Sequence, residues 1–248
     1  RKKFHETMSS LFSYDKMGCP MKHGDKYFYY KKSGLDNQSI LYKMDNLDEN
    51  PTVVLDPSIL FKDENMTFQG SYFSRDGTKV AYAVSLNGCD WFSIHVMDVN
   101  TGPLKDKIDW CKFSPVAWDK EGNGFFYSSF SSSEGESCPS ENDEMCGNRA
   151  YYHKLGTDRA CDILVFDAGH KNSRWMLHCR MTDDYNTLLI NIHETCSAQC
   201  RIYMIDTSNF DGKNPPLKFR TIKLFDTFEH CYNYVTNEAR DFWFLTSF

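Results

Sequence analysis

The sequence predicts an all-β fold, a β-propeller of about four to five four-stranded blades. Aromatic residues make up 15% of the 248 residues, and such side chains suit the half-buried, pleated surface of a sheet. A polar turn followed by a short apolar strand also recurs five times, at intervals of 53, 45, 63 and 54 residues. A period of about 50 residues is typical of propeller blades.

Each repeat begins with a polar turn. An Asp-Gly or Glu-Gly pair supplies the positive φ that a tight hairpin needs. Tyr185 and Ala239 occupy this place in the last two turns, so we expect those turns to differ or to carry strain. The predicted strands after the five turns are Tyr27–Tyr29, Val80–Tyr82, Phe125–Tyr127, Leu188–Ile190 and Phe242–Phe244.

A second strand follows each of the first four turns, and a further strand closes the unit. Ile40, Tyr42 and Met44 alternate with polar residues and share one face. An antiparallel sandwich or barrel would also give short strands and turns at regular spacing. Two hairpins in every period favour the propeller. The predicted second strands are Ile40–Asp45, Phe92–Asp98, Ala150–Leu155 and Arg201–Asp206.

Composition excludes several classes of protein. The formal net charge is -6 and no basic patch is evident, so a nucleic-acid partner is not expected. No run of 18 apolar residues is present, so we expect no membrane span. The ten cysteines are scattered without a C-x-x-C pair, which disfavours a metal. We expect free buried thiols, a cytoplasmic location and no cofactor.

Two segments stand apart from the repeat. Phe4, Met8, Leu11 and Phe12 fall on one helical face, which predicts a helix over residues 1–12. Residues 128–149 are rich in Ser, Glu and Gly, and they predict a mobile loop that is either a solvated surface insertion or a lid. Two cysteines of this loop could pair, namely Cys138 and Cys146.

Several motifs resemble the propeller of the prolyl oligopeptidase family, in the family's order and over the whole chain. The resembling stretches are Lys26–Tyr29, Leu55–Leu60, Phe73–Gly77, Lys112–Ser114, Ala117–Trp118, Tyr151–Asp158 and Tyr234–Glu238. The resemblance implies that residues 1–12 end an N-terminal peptidase segment and that residues 13–248 are part of a seven-bladed ring. It also implies two partners, short proline-containing peptides and an α/β-hydrolase domain of the same parent chain.

The resemblance implies a serine peptidase that cleaves after proline, but the catalytic motif is missing here. An α/β-hydrolase places its nucleophile in G-x-S-x-G, and the nearest approach, Gly135-Glu136-Ser137, continues with Cys138-Pro139. The family's catalytic serine, aspartate and histidine are therefore expected outside this chain. We predict that the 248-residue piece alone is inactive, since the three groups act as a unit.

Four residues are predicted to face the substrate by their place in the family's motifs. Phe113, Met176 and Cys196 would form an apolar, polarisable wall for a peptide side chain. The alternative is that all three are ordinary core residues. His193 stands where an arginine is expected, so a contact with a carboxylate or carbonyl there would be weaker and pH-dependent.

Two other functions compete with this one. A non-enzymatic propeller that binds peptides or proteins would carry a recurring signature, yet Trp118-Asp119 is the only Trp-Asp pair and no double-glycine kelch strand is present. A different peptidase of the same superfamily is the other alternative. The pocket residues alone discriminate weakly between such peptidases.

Overall fold

The computed structural model describes residues 1–61, 65–130, 147–169, 172, 174–212 and 219–247. These residues form nineteen strands in five antiparallel sheets. The helical elements among them are α1 (Lys2–Phe12), α2 (Pro57–Leu60) and a 3₁₀ turn at Arg159–Cys161. The sheets follow one another along the chain, as the repeat predicted.

Each sheet is one blade. Blade 1 consists of β1 (Lys16–Met17), β2 (Met21–His23), β3 (Lys26–Lys32), β4 (Ile40–Met44) and β5 (Thr52–Leu55). Blade 2 consists of β6 (Met66–Phe73), β7 (Lys79–Leu86), β8 (Trp91–Asp98) and β9 (Gly102–Lys112). Blade 3 consists of β10 (Ala117–Trp118), β11 (Gly124–Ser129), β12 (Arg149–Lys154) and β13 (Ile163–Asp167). Blade 4 consists of β14 (Met176–Met181), β15 (Thr187–His193), β16 (Arg201–Asp206) and β17 (Thr221–Phe225), and blade 5 of β18 (Tyr232–Glu238) and β19 (Asp241–Thr246).

Neighbouring strands pair in chain order within each blade. In blade 1 the first strand is split, because β1 and β2 both pair with β3. The first strand of blade 3 contacts the first strands of blades 2 and 4, so first strands lie innermost. We call the end of the sheets where first strands begin and second strands end the upper rim. Met176 begins β14 and His193 ends β15, and both lie there.

The hairpin turns at the opposite end share one geometry. The Gly77 N–H donates to the Ser74 carbonyl at 2.9 Å, and the Tyr185 N–H donates to the Thr182 carbonyl at the same distance. Tyr185 has φ 59° and Ala239 has φ 52°, in the region where Gly77 lies at 68°. These two turns therefore keep the glycine conformation and carry the expected strain.

Apolar residues fill the interfaces between blades. Phe28, Leu41 and Val84 are buried between blades 1 and 2, whereas Ile94 and Phe125 are buried between blades 2 and 3. Similar clusters join blade 3 to blade 4 and blade 4 to blade 5. Because the two faces of one sheet pack against two neighbours, the second strands β7, β11 and β15 are buried along most of their length.

The predicted loop is shorter than expected, because strands extend into both of its ends. β11 continues to Ser129 and β12 begins at Arg149, so the predicted bounds 128–149 are too wide. Residues 131–146, with Cys138 and Cys146, lie outside the described residues.

The described cysteines are free thiols, and the expectation that all of them are buried is wrong. Cys111, Cys179 and Cys200 are buried, but Cys19, Cys161 and Cys196 are exposed. Exposure follows position, because the buried three lie in or beside strands at blade interfaces.

Helix α1 forms where the apolar periodicity predicted it, and its apolar face is uncovered. None of the helix residues is buried, and Phe4 is 71% exposed and Leu11 is 65% exposed. Within the described part of the chain, no helix is long and apolar enough to cross a membrane.

Candidate substrate-facing rim

The upper rim brings the four predicted site residues to the same end of the sheets. Met176 and His193 are register partners on adjacent strands. Cys196 lies in the connection from β15 to β16, and Phe113 directly follows β9. Because antiparallel strands alternate in direction, these four positions all fall where second strands end and first strands begin.

Phe113 projects from the rim in an unusual backbone conformation. Its φ is 53° and its side chain is 43% exposed. The Lys112 ammonium lies 5.5 Å from the centroid of its ring. The Ser128 N–H donates to Ser114 Oγ at 2.8 Å and fixes the next residue of the segment. Such an exposed aromatic side chain does not belong to the core.

Cys196 is exposed and Met176 is half-buried. Exposure makes the Cys196 thiol accessible to a ligand from solvent, whereas Met176 presents part of its thioether surface at the start of β14. The sequence left open that these residues belong to the core. Phe113 and Cys196 are exposed, so they are not core residues. Their contact with a substrate remains a prediction.

The imidazole of His193 is next to a second histidine. The ring centroids of His193 and His178 are 5.0 Å apart. Burial and, to a smaller extent, the neighbouring His193 together lower the pKa of His178 to about 4. Burial also lowers the pKa of His193, although hydrogen bonds with the backbone of Ser197 and Gln199 act in the opposite direction. Both rings are therefore mainly uncharged at pH 7.

One rim residue escaped the sequence reasoning. Lys112 is buried beside Phe113, with its side chain 6% exposed and its Nζ 3.5 Å from Asp90 Oδ2. Its ammonium also lies 5.3 Å from the ring centroid of Trp91. In the sequence, Lys112 lies next to Phe113 and two residues after Trp110. Aromatic neighbours of this kind do not by themselves indicate that a lysine is buried.

The arrangement of the rim suits binding of an apolar group. An aromatic ring, a thioether, a thiol and an uncharged imidazole present little charge to a ligand. No group of three metal-ligating side chains occurs in the described ranges. The sequence has no nucleophile motif of the α/β-hydrolase type.

Comparison with known families identifies the chain. Residues 1–247 match the family described as "Prolyl oligopeptidase, N-terminal beta-propeller domain". The chain belongs to this family. The β-propeller prediction and the family resemblance drawn from the sequence are both confirmed.

Curated relatives share the family over most of this chain. A prolyl endopeptidase of Dictyostelium discoideum is 25% identical over 292 residues, covering 99% of this chain and 38% of its own length. Prolyl oligopeptidase A of Galerina marginata is 30% identical and covers 94% of this chain and 35% of its own length. A prolyl endopeptidase of Elizabethkingia miricola is 32% identical and covers 84% of this chain and 29% of its own length. The chain thus spans about a third of the length of these relatives.

Solved structures agree on the fold. Prolyl oligopeptidase B from Galerina marginata, bound to a 35mer hydrolysis and macrocyclization substrate, superposes with a TM-score of 0.86 at 24% identity. The match covers 99% of this chain and 36% of that one. The apo form of the same protein gives a TM-score of 0.82.

Proposed function

We propose that this chain is the substrate-gating propeller of a serine-type prolyl endopeptidase, which cleaves short peptides after proline. The catalytic serine, aspartate and histidine would lie in an α/β-hydrolase domain of the same parent chain. The observation that carries the proposal is the family match over residues 1–247 together with relatives named prolyl endopeptidase.

The rim geometry supports a role in substrate binding. Phe113, Met176, His193 and Cys196 gather at one end of the sheets, and two of them are exposed there. We assign them to the wall that holds the peptide residue two before the proline. An uncharged His193 suits an apolar side chain better than a charged guanidinium would.

Helix α1 supports the second partner, the peptidase domain. Its end directly precedes blade 1, and Lys16 Nζ donates to the Phe12 carbonyl at 2.9 Å and so ties the end of the helix to β1. The apolar face that carries Phe4 and Leu11 is uncovered. An exposed apolar helix face of this kind fits burial against another domain.

The thiols support a cytoplasmic location. Cys19, Cys161 and Cys196 are free and exposed, and exposed thiols persist best in a reducing compartment. Fractionation of the native source with a marker for each compartment tests this location.

The first experiment measures hydrolysis of a Gly-Pro-coumarin reporter by the full-length protein, with and without a proline-aldehyde inhibitor. Inhibitable cleavage after proline is the expected result. Absence of cleavage by a folded full-length protein would contradict the proposal. It would favour a binding scaffold or a peptidase of different specificity. The 248-residue piece serves as the control, since it is expected to be inactive.

Replacement of His193 by Arg tests the pocket. A permanent positive charge would remove the pH dependence that the titrating imidazole contributes below pH 6.5, since its pKa is lowered from that value. For a proline reporter with an apolar residue two positions before the proline, we expect kcat/KM to change by about 3- to 10-fold below pH 6.5. Identical pH profiles for the variant and the parent would remove His193 from the proposed pocket.

A further inference from the structure

The usual order of burial is inverted in the segment that follows β9. Lys112 is 5% exposed and Ser114 is 2% exposed, whereas Phe113 between them is 43% exposed. Phenylalanine is among the residues most often buried, and lysine is rarely buried unless it is paired. The opposite arrangement would remove more apolar surface from water. The segment is therefore arranged to present the ring of Phe113 at the rim rather than to gain the most hydrophobic stabilisation.

The backbone of Phe113 is held in a strained conformation. Its φ of 53° lies in the left-handed region, which is unfavourable for a residue with a Cβ. Strained residues persist only where their surroundings hold them, and they cluster at ligand sites. On one side the hold comes from Ser114, because its Oγ accepts from the Ser128 N–H at 2.8 Å. On the other side it comes from the side chain of Lys112.

The ammonium of Lys112 lies between two aromatic rings. Nζ is 5.5 Å from the centroid of Phe113 and 5.3 Å from the centroid of Trp91. A cation over an aromatic ring at such a distance is attracted by the negative face of the ring. The Oδ2 atom of Asp90, 3.5 Å from Nζ, offsets the positive charge. One buried cation thus links the exposed ring of Phe113 to a second ring.

That second ring is a fixed anchor. Trp91 is 5% exposed. It packs edge-on against Phe130, with centroids 5.4 Å apart, and against Trp110, with centroids 6.3 Å apart. The Phe130 N–H also donates to the Trp110 carbonyl at 3.2 Å. Because closely packed interior side chains keep one arrangement, the anchor fixes the position of the ammonium relative to blade 2.

We propose that Lys112 is a positioning residue for substrate recognition. Its ammonium holds the ring of Phe113 outward at the rim, where the ring contacts the peptide residue two before the proline. The ammonium lies over one face of this ring, so the substrate contacts the other face. Lys112 itself does not contact the substrate and acts only through Phe113. The proposal rests on the proposed peptidase function for the identity of the ligand.

The experiment measures kcat and KM of the full-length protein for two blocked reporters, acetyl-Phe-Gly-Pro-coumarin and acetyl-Gly-Gly-Pro-coumarin. The two differ only in the residue two before the proline. The ratio of their kcat/KM values therefore isolates the recognition of that residue. In the parent protein we expect a higher kcat/KM for the phenylalanine reporter, because an apolar side chain packs against the ring of Phe113.

Lys112→Met keeps an unbranched side chain and removes the charge. We expect the ratio to fall by about 3- to 10-fold through a higher KM for the phenylalanine reporter, as for the loss of one cation–π contact. Lys112→Arg keeps a cation over the ring and should retain the ratio within about 2-fold. Lys107→Met is the matched control, since Lys107 lies in β9 with its side chain 52% exposed. It should leave the ratio unchanged.

A double-mutant cycle tests whether Lys112 acts through the ring. In the background of Phe113→Ala, Lys112→Met should have no further effect on the ratio, because the ring that the ammonium holds is absent. Lys112→Gln also removes the charge, and it replaces Lys112→Met in the cycle if that variant does not fold. An unchanged ratio in a folded variant without the charge, or an equal fall with and without Phe113, would overturn the positioning role.

A folded full-length protein that cleaves neither reporter would overturn the peptidase function instead. Amide hydrogen exchange of residues 110–117 then tests Lys112 without any substrate. Faster exchange in Lys112→Met than in Lys107→Met would support the hold of the lysine on Phe113. Equal exchange in the two variants would overturn it.

Discussion

The interface between blades 2 and 3 and the interface between blades 4 and 5 are built differently. The first encloses charged groups that are fully hydrogen-bonded. The second is held by a small apolar cluster and by contacts near solvent. Both join consecutive sheets of the same propeller, so the difference shows which contacts fix one blade on the next.

His153 is at the centre of the blade 2–blade 3 interface. Its Nδ1 lies 2.7 Å from Asp162 Oδ1 and its Nε2 lies 3.1 Å from Asp106 Oδ1. The three side chains are 1%, 3% and 4% exposed. The Tyr127 hydroxyl donates to the other oxygen of Asp162 at 2.7 Å. Since Asp106 belongs to β9 and His153 to β12, this network crosses from one blade to the other.

The blade 4–blade 5 interface has no comparable network in the described residues. Leu189 and Tyr234 are buried there. Arg180 crosses the interface, with its guanidinium 4.9 Å from the Tyr234 ring and 3.3 Å from the Tyr234 carbonyl. On the far side of blade 5, Leu245 is 68% exposed. The two-stranded blade is thus held mainly through one face.

Replacement of His153 by Ala should have the largest effect on this contrast. It leaves the carboxylates of Asp106 and Asp162 buried without their shared partner, and breaking a buried charged pair costs about 3–5 kcal/mol. Hydrogen exchange of peptides from β9 and β12 measures the loss. Arg180→Ala in the other interface is the matched control and should cost below about 1 kcal/mol. Similar losses in both variants would show that the two interfaces do not differ.

The pH dependence of the same interface gives a smaller effect. Burial lowers the pKa of His153, but hydrogen bonds with Asp162 and Asp106 raise it more, and the net shift is upward from 6.5. The stabilisation is therefore complete below pH 6.5 and is lost as pH rises through the raised pKa. The melting temperature should exceed that of His153→Gln by more at pH 6 than at pH 9. A difference that grows with pH would contradict this charge assignment.

Substitutions at turn positions with positive φ give the smallest changes in stability. We expect a loss at Gly77 in blade 2 and a gain at Ala239 in blade 5. In Gly77→Ala a Cβ would lie 2.4 Å from the His23 carbonyl oxygen, so we expect a loss greater than the conformational cost of about 1–2 kcal/mol. Ala239→Gly in blade 5 should gain about 1 kcal/mol by relieving its positive φ. Melting temperatures measure both. Gly88 also has a positive φ, but nothing lies near the position of its Cβ. Gly88→Ala therefore measures the backbone strain without the steric clash. A loss of stability equal to that of Gly77→Ala would contradict the expected clash.

The local pattern of the sequence predicted the blades well, because turn chemistry and strand alternation are contained within a few residues. The turns before Val80 and Leu188 lie where the repeat placed them. The split of the first strand of blade 1 was not predicted, since Gly18, Cys19 and Pro20 interrupt a segment too short to show a period. Proline cannot donate to the ladder, which explains the break in physical terms.

The interface network could not be predicted from the sequence. Asp106, His153 and Asp162 are separated by up to 56 residues, and only the packing of β9 against blade 3 brings them together. For the candidate site, the motif resemblance predicted Phe113, Met176, His193 and Cys196. Their exposure and the charge state of His193 could be read only from the three-dimensional structure.

The upper rim also has a consequence for how such a scaffold can be altered. In blades 1 to 4 the second strand ends and the third strand begins at this end, as far as the chain is described. The interfaces between blades lie below these connections. Segments of different length can therefore be exchanged there by recombination or grafting, while the packing of the sheets is inherited unchanged.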